Sequence, residues 1–179
     1  MPHKVQFLRR LLQGGLALAW LLGGVPAWSE ELPEYRLKAA FLYNFAALTE
    51  WPADVGATLH LCIHGADPFA GELNVLNGKT AGSRRIEVAR SSTLQSLKGC
   101  QIVFVSAAAA GQLPRVLDAV RSLPVLVIAD TPGALRQGAM LNMNLVQGRV
   151  TFEANLAAAR SARLTLSSKL LRLATEVLQ

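Results

Sequence analysis

The sequence predicts an α/β fold: a three-layer sandwich with a mostly parallel, doubly wound sheet and an antiparallel C-terminal hairpin at one edge. Three observations carry that expectation. Strand-patterned and helix-patterned segments alternate along most of the chain. Two runs, from Cys100 to Val105 and from Pro124 to Ala129, are almost continuously apolar, as suits central parallel strands covered on both faces. Near the end, Met140 to Val146 and Arg149 to Ala154 are strand-like runs joined by Gln147-Gly148, which reads as a hairpin.

The chain opens on a targeting pattern. Lys4, Arg9 and Arg10 form a basic start, with no acidic residue before Glu30. Leu11 to Leu22 is almost wholly apolar, and Gly23, Gly24 and Pro26 then break the helix. Small residues flank a cut after Ala27. This order predicts a cleaved signal peptide over 1–27 and a single domain over 28–179. The rival is a retained anchor, but a spanning helix needs about 20 apolar residues and this run is shorter. No cysteine follows it, which argues against a lipoprotein.

Export shapes the rest of the reading. The full chain carries 18 basic and 12 acidic residues, for +6; losing three basic residues with the leader leaves 15 against 12, or +3. That excess is too mild for a nucleic-acid partner, which wants a concentrated basic stripe. A cut after Ala27 leaves 179 minus 27, or 152 residues, enough for one sizeable core. With the leader gone, no second apolar run approaches 18 residues, so no membrane insertion is expected of the mature chain. Cys62 and Cys100 face an oxidising compartment, where pairing is the natural reading. The chain-entropy model gives such a bridge about 4 kcal/mol.

The elements follow in order. Leu37, Ala40, Phe41, Phe45 and Leu48 recur at helical spacing and predict a helix over Pro33 to Leu48, with Leu42 and Tyr43 widening its apolar surface. It stops before Trp51-Pro52, since proline disfavours helix at the preceding residue. Thr58 to Ile63 reads as a strand. Asp67 is the expected N-cap, and Pro68 the first residue, of a helix running to about Leu76. Arg84 to Ala89 alternates as a second strand. A short helix around Thr93 to Leu97 leads into the Cys100 run, and Ala108 to Ser122 predicts a helix with Leu113, Val116, Leu117 and Val120 inside. After the hairpin, Asn155 is expected to cap a C-terminal helical region whose core face holds Leu164, Leu166, Leu170, Leu171, Leu173, Ala174 and Leu178. If the parallel strands follow the order 2-1-3-4, the first and third are neighbours and Cys62 lies near Cys100.

Catalytic patterns are absent from the sequence. Gly78-Lys79-Thr80 resembles the end of a phosphate loop, but the glycine required five residues earlier is Leu73, and no G-x-G-x-x-G follows a strand. His60, Cys62 and His64 alternate along one strand and share a face. A disulfide would remove the thiolate from that row, leaving a structural cysteine between two edge-exposed histidines rather than a metal site. Asp130 ends a strand, a usual place for ligands, yet Asp130-Thr131-Pro132-Gly133 is also ordinary turn chemistry. No Ser-His-Asp set can be assembled, because the only histidines after the leader are His60 and His64. No enzyme activity, cofactor or metal is therefore assigned. Trp51 and Pro52, with Leu42 and Phe152, are bulky residues near element ends. Core packing is the default for each, and anchoring a partner is the functional alternative.

Several of these segments resemble one family. Leu37-Lys38-Ala39-Ala40-Phe41-Leu42-Tyr43-Asn44-Phe45, Glu50-Trp51-Pro52 and Leu61-Cys62-Ile63-His64-Gly65-Ala66-Asp67-Pro68-Phe69 are similar to the YfiR/HmsC-like family. So are Gly99 to Ser106, Arg149 to Asn155 and the ending Leu170-Leu171-Arg172-Leu173-Ala174. The resemblance implies a periplasmic regulator without known catalysis. It implies a protein that binds the periplasmic sensor portion of an inner-membrane diguanylate cyclase and represses it, lowering cyclic di-GMP and biofilm formation. Cys62 and Cys100 match one disulfide of the family; the second pair that some members carry has no counterpart between Asp130 and Arg149. Trp51, Pro52, Leu42 and Phe152 are then the candidate partner-binding residues. A homodimer is compatible with the sequence. The alternative is a periplasmic small-molecule binder acting with another membrane partner, through the strand-end crevice near Gly65-Asp67 and Asp130-Gly133.

Overall fold

The computed structural model describes residues 31–179, with side chains from Glu34 onward. The expected signal peptide lies outside the described residues. Helix α1 spans Glu31–Leu48. An eight-stranded mixed sheet then runs in the order β10-β8-β7-β6-β5-β2-β4-β3. Its strands are β2 (Thr58–His64), β3 (Thr80–Ala81), β4 (Arg84–Ser91), β5 (Ile102–Val105), β6 (Leu126–Ala129), β7 (Leu141–Val146), β8 (Arg149–Asn155) and β10 (Glu176–Leu178). From β4 through β2, β5, β6 and β7 every pairing is parallel. A separate antiparallel pair joins β1 (Thr49–Glu50) to β9 (Thr165–Leu166). The expected adjacency of the first and third long strands holds: Cys62 of β2 is in register with Val103 of β5.

Successive residues of the central strands point to opposite faces, and both faces are apolar. Leu61, Ile63, Ile102, Phe104, Leu126 and Ile128 join α1 residues in one core cluster. Cys62, Val103, Val105, Val127 and Ala129 join Leu113 and Val116 in another. This two-sided burial explains why β5 and β6 read as continuous apolar runs rather than alternating ones. Aromatic rings tie α1 to the hairpin: Phe45 and Phe152 lie 5.0 Å apart at 64°, an edge-on arrangement. In the hairpin, Gln147 and Gly148 both take positive φ (49° and 74°), as a two-residue turn matched to strand twist requires.

Four expected elements differ from what forms. The helix expected after Asp67 is replaced by turns and a short 3-10 helix over Glu72–Leu76. Asp67 Oδ1 does accept the Phe69 amide at 2.8 Å, but Ala70 then turns to φ 51°, which ends helical propagation. Ala108 to Ser122 divides into a 3-10 helix, Ala107–Gln112, and helix α2, Leu113–Ala119. Pro114 is the cause, because a continuous helix would drive its ring into the carbonyl four residues earlier. The short helix expected at Thr93 forms instead as a 3-10 helix over Gln95–Gly99.

The C-terminal helical region is the largest departure. Asn155 caps helix α3, Leu156–Ser161, accepting the Ala158 amide at 2.9 Å. Arg163 then adopts φ 59°, and the chain passes through β9, helix α4 (Ser168–Leu171) and β10. Leu164, Leu166 and Leu170 are buried as expected, whereas Leu173 is 65% exposed. Strand β10 pairs parallel with β8, so the hairpin is one strand in from the edge it was expected to form.

Candidate functional site

The inward face of α1 is rotated by about one residue from the expected one. Lys38, Ala39, Leu42, Phe45 and Ala46 are buried, while Leu37 is 47% exposed. An electrostatic contact accounts for the phase. Lys38 Nζ lies 2.8 Å from Asp130 Oδ2, with the two side chains only 4% and 1% exposed. Glu34 Oε1 reaches the same ammonium, one helical turn earlier. Tyr35 donates its hydroxyl to Asp130 Oδ2 at 3.1 Å, and its ring lies 4.5 Å from Lys38 Nζ. Asp130 is therefore neither an open ligand position nor a plain turn residue; it is the buried counter-charge that seats the start of α1 at the carboxyl end of β6. Its second oxygen, Oδ1, is buried without a partner. Nearby, exposed Arg36 forks onto Glu72 through Nε and Nη2, both at 3.2 Å, and that hydrogen bond and charge raise the guanidinium above its usual pKa.

The other end of α1 carries the Trp51-Pro52 loop. Trp51 is half-buried, and its indole N–H donates to the Ala46 carbonyl at 3.2 Å, satisfying a backbone group that the helix end leaves open. Arg84 grips the loop from below, donating to the carbonyls of Gly56, Pro52 and Val55 at 3.1, 3.3 and 3.3 Å. Exposed Asp54 meets Arg163 at 3.0 Å, and the Ser167 amide donates to Leu48 at 3.0 Å. Trp51 and Pro52 thus sit in a braced loop beside exposed Ala53 and Asp54. Leu42 and Phe152 do not join them. Each is 1% exposed within the core, where no partner reaches it in this conformation.

Cys62 and Cys100 form a disulfide with Cα atoms 6.0 Å apart, bridging a sequence separation of 38. Both sulfur-bearing residues are buried, at 4% and 3% exposure. The bridge commits the Cys62 thiolate, so the row His60, Cys62, His64 offers only imidazoles. Those histidines are not alike. His60 is half-exposed and lies 3.5 Å from Glu87 on the neighbouring strand. His64, on the same interior strand, is only 2% exposed, at the strand end where Gln112 packs against its ring. Its Nε2 lies 3.0 Å from Gln112 Oε1, and its Nδ1 is buried without a partner.

Two hollows open at the carboxyl ends of the parallel strands. One, of about 420 Å³, lies between His64, Gly65, Arg90, Ser91, Ser92 and Gln112. A smaller one, of about 250 Å³, is lined by Tyr35, Ala66, Pro68 and residues 106–108. The crevice expected near Gly65-Asp67 is therefore present. The part expected near Asp130 is filled by Lys38. Lys38, Gln112 and Arg90 carry no local signal as partners, since each depends on contacts between distant segments.

Among the described residues, no helix is long and apolar enough to cross a membrane. A sequence profile described as YfiR/HmsC-like matches residues 35–175. Among solved structures, a conserved domain protein from Vibrio cholerae superposes with a TM-score of 0.56 at 10% identity, over 80% of this chain and 60% of that one. The structure titled as an ABC domain in complex with L-Trp, from Streptococcus pneumonia, gives 0.52 at 8% identity, over 80% and 62%. The chain spans about 60% of the length of these structures, and at such identities the likeness is one of fold.

Proposed function

Because the chain belongs to the YfiR/HmsC-like family of periplasmic regulators, we propose that it binds and represses an inner-membrane diguanylate cyclase. Held in check through its periplasmic sensor portion, the cyclase would make less cyclic di-GMP, and biofilm formation would fall. The single observation carrying this reading is the family match, which spans all but a few of the described residues. The mature protein on this reading is residues 28–179, released into the periplasm by cleavage after Ala27. It acts by binding and not by catalysis.

Restraint of this kind has a thermodynamic limit. A binding domain shifts its partner between two states only by its difference in affinity for them. Such a difference needs an anchor whose position is set before binding. The Trp51-Pro52 loop supports that role, being braced by Arg84 and by the Ala46 carbonyl while leaving part of Trp51 exposed. Leu42 and Phe152 contribute by holding α1 against the hairpin, not by touching the partner.

The test is a crosslinking pull-down from intact cells, with the tagged, exported chain as bait. Recovery of a membrane diguanylate cyclase is expected, with loss of recovery in a folded Trp51→Ala variant. Ala53→Arg, a change at an exposed position of the same loop, should weaken recovery without affecting the core. Recovery of no cyclase under either oxidising or reducing conditions would refute the reading.

A further inference from the structure

We infer that the tip of the β7–β8 hairpin docks on an anionic phospholipid surface. The tip stands clear of the rest of the sheet. Strand β6 pairs with β7 only at Leu141 and Asn142, and the segment leading into β10 meets β8 no nearer the turn than the Phe152 carbonyl. From Met143 to the turn the two strands therefore pair only with each other. This ribbon runs about 10 Å past the end of the β6 pairing.

The side chains at the tip name the surface. Open strand edges are usually guarded by charge, yet Leu145 and Val146 are 50% and 52% exposed there. Being consecutive, they point to opposite faces of the ribbon: Leu145 to the side of Met143 and Phe152, Val146 to the side of Arg149. A protein docked on one face would cover only one of the two. A fluid bilayer interface closes around a convex tip and takes both from water. Charge then selects the lipid. From Leu145 to Val150 the only charged residue is Arg149, which is exposed and, among the described residues, forms no ion pair. Its guanidinium can fork onto a lipid phosphate, and an anionic surface attracts it. The apolar and electrostatic contributions are each small, so they act together and the docking is reversible. The inference does not depend on the regulatory reading. Docking would turn the start of α1, seated at the same end of the sheet, toward the bilayer and the Trp51-Pro52 loop away from it.

The test is cosedimentation of the purified exported chain, disulfide intact, with protein-free vesicles of phosphatidylethanolamine and phosphatidylglycerol, and in parallel with vesicles of phosphatidylcholine. Binding to the anionic vesicles is expected at millimolar lipid and should fall as salt is raised. Leu145→Thr combined with Val146→Thr keeps strand-compatible residues at half-exposed positions and should weaken binding about tenfold. Arg149→Gln should weaken it about fivefold. No binding to the anionic vesicles, or binding unchanged in the double variant, would overturn the contact and leave the tip to a protein partner. Equal binding to phosphatidylcholine would overturn the anionic lipid as the class recognised.

Discussion

At the scale of single residues, the Lys38–Asp130 pair has the most to lose. Removing one partner of a buried ion pair strands the other charge, a change that destabilises by about 3–5 kcal/mol. Against a typical total of about 5–15 kcal/mol, Lys38→Met should lower the thermal midpoint strongly or unfold the chain. Lys38→Met combined with Asp130→Leu should recover part of that loss, because the Asp130 charge is then gone and only Glu34, 17% exposed, is left without its partner. Thermal melts of both variants check this; a double variant no better than the single one would count against the pair as the cause. Gly65 makes a second residue-scale case. It sits at φ 95°, and a Cβ there would lie 2.6 Å from Ala109 Cβ and 2.7 Å from Ser106 Oγ. Gly65→Ala should therefore cost about 1–3 kcal/mol by denaturant titration, from strain and overlap together. Neither effect was legible in the sequence. Lys38 sits in an apolar helix pattern, and only the fold brings Asp130 to it, 92 residues away.

Elements were legible where their cause is local. Helix α1, strands β2, β4, β5 and β6, the Gln147-Gly148 hairpin and the Asn155 cap all follow from periodicity or turn chemistry within a few residues. The misses share a different origin. At Ala70 and Arg163 positive φ interrupts an otherwise helical pattern, and neither residue type announces it. Strand β10 forms because the edge of β8 was open, a fact that no local pattern contains. Two predictions belong here. Asn155→Ala removes both the cap to Ala158 and the donation to the Leu135 carbonyl, and should lower unfolding free energy by about 1–2 kcal/mol. Replacing Cys62 and Cys100 together by alanine should lower stability by about 2–4 kcal/mol. With both cysteines buried, mild reductant should leave the bridge intact until the native state opens, as free-thiol labelling alongside a denaturant series would show.

Across the whole molecule, α1 runs against the parallel strands and links the two ends of the sheet. Its start is seated by Asp130 near the strand-end hollows, and its finish carries the Trp51-Pro52 loop. The family was legible from ordered motifs, and the profile match over residues 35–175 bears it out. The proposed docking residues were less so, because bulk and position near an element end do not separate an anchor from a core residue. Trp51 stays accessible while Leu42 and Phe152 do not, and only tertiary packing makes that division. The proposed restraint of a diguanylate cyclase is read from cyclic di-GMP extracted from native-host cells. Deleting the chain should raise cyclic di-GMP, and the exported wild-type chain should restore it where the folded Trp51→Ala variant does not. Unchanged cyclic di-GMP after deletion would rule out the proposed restraint.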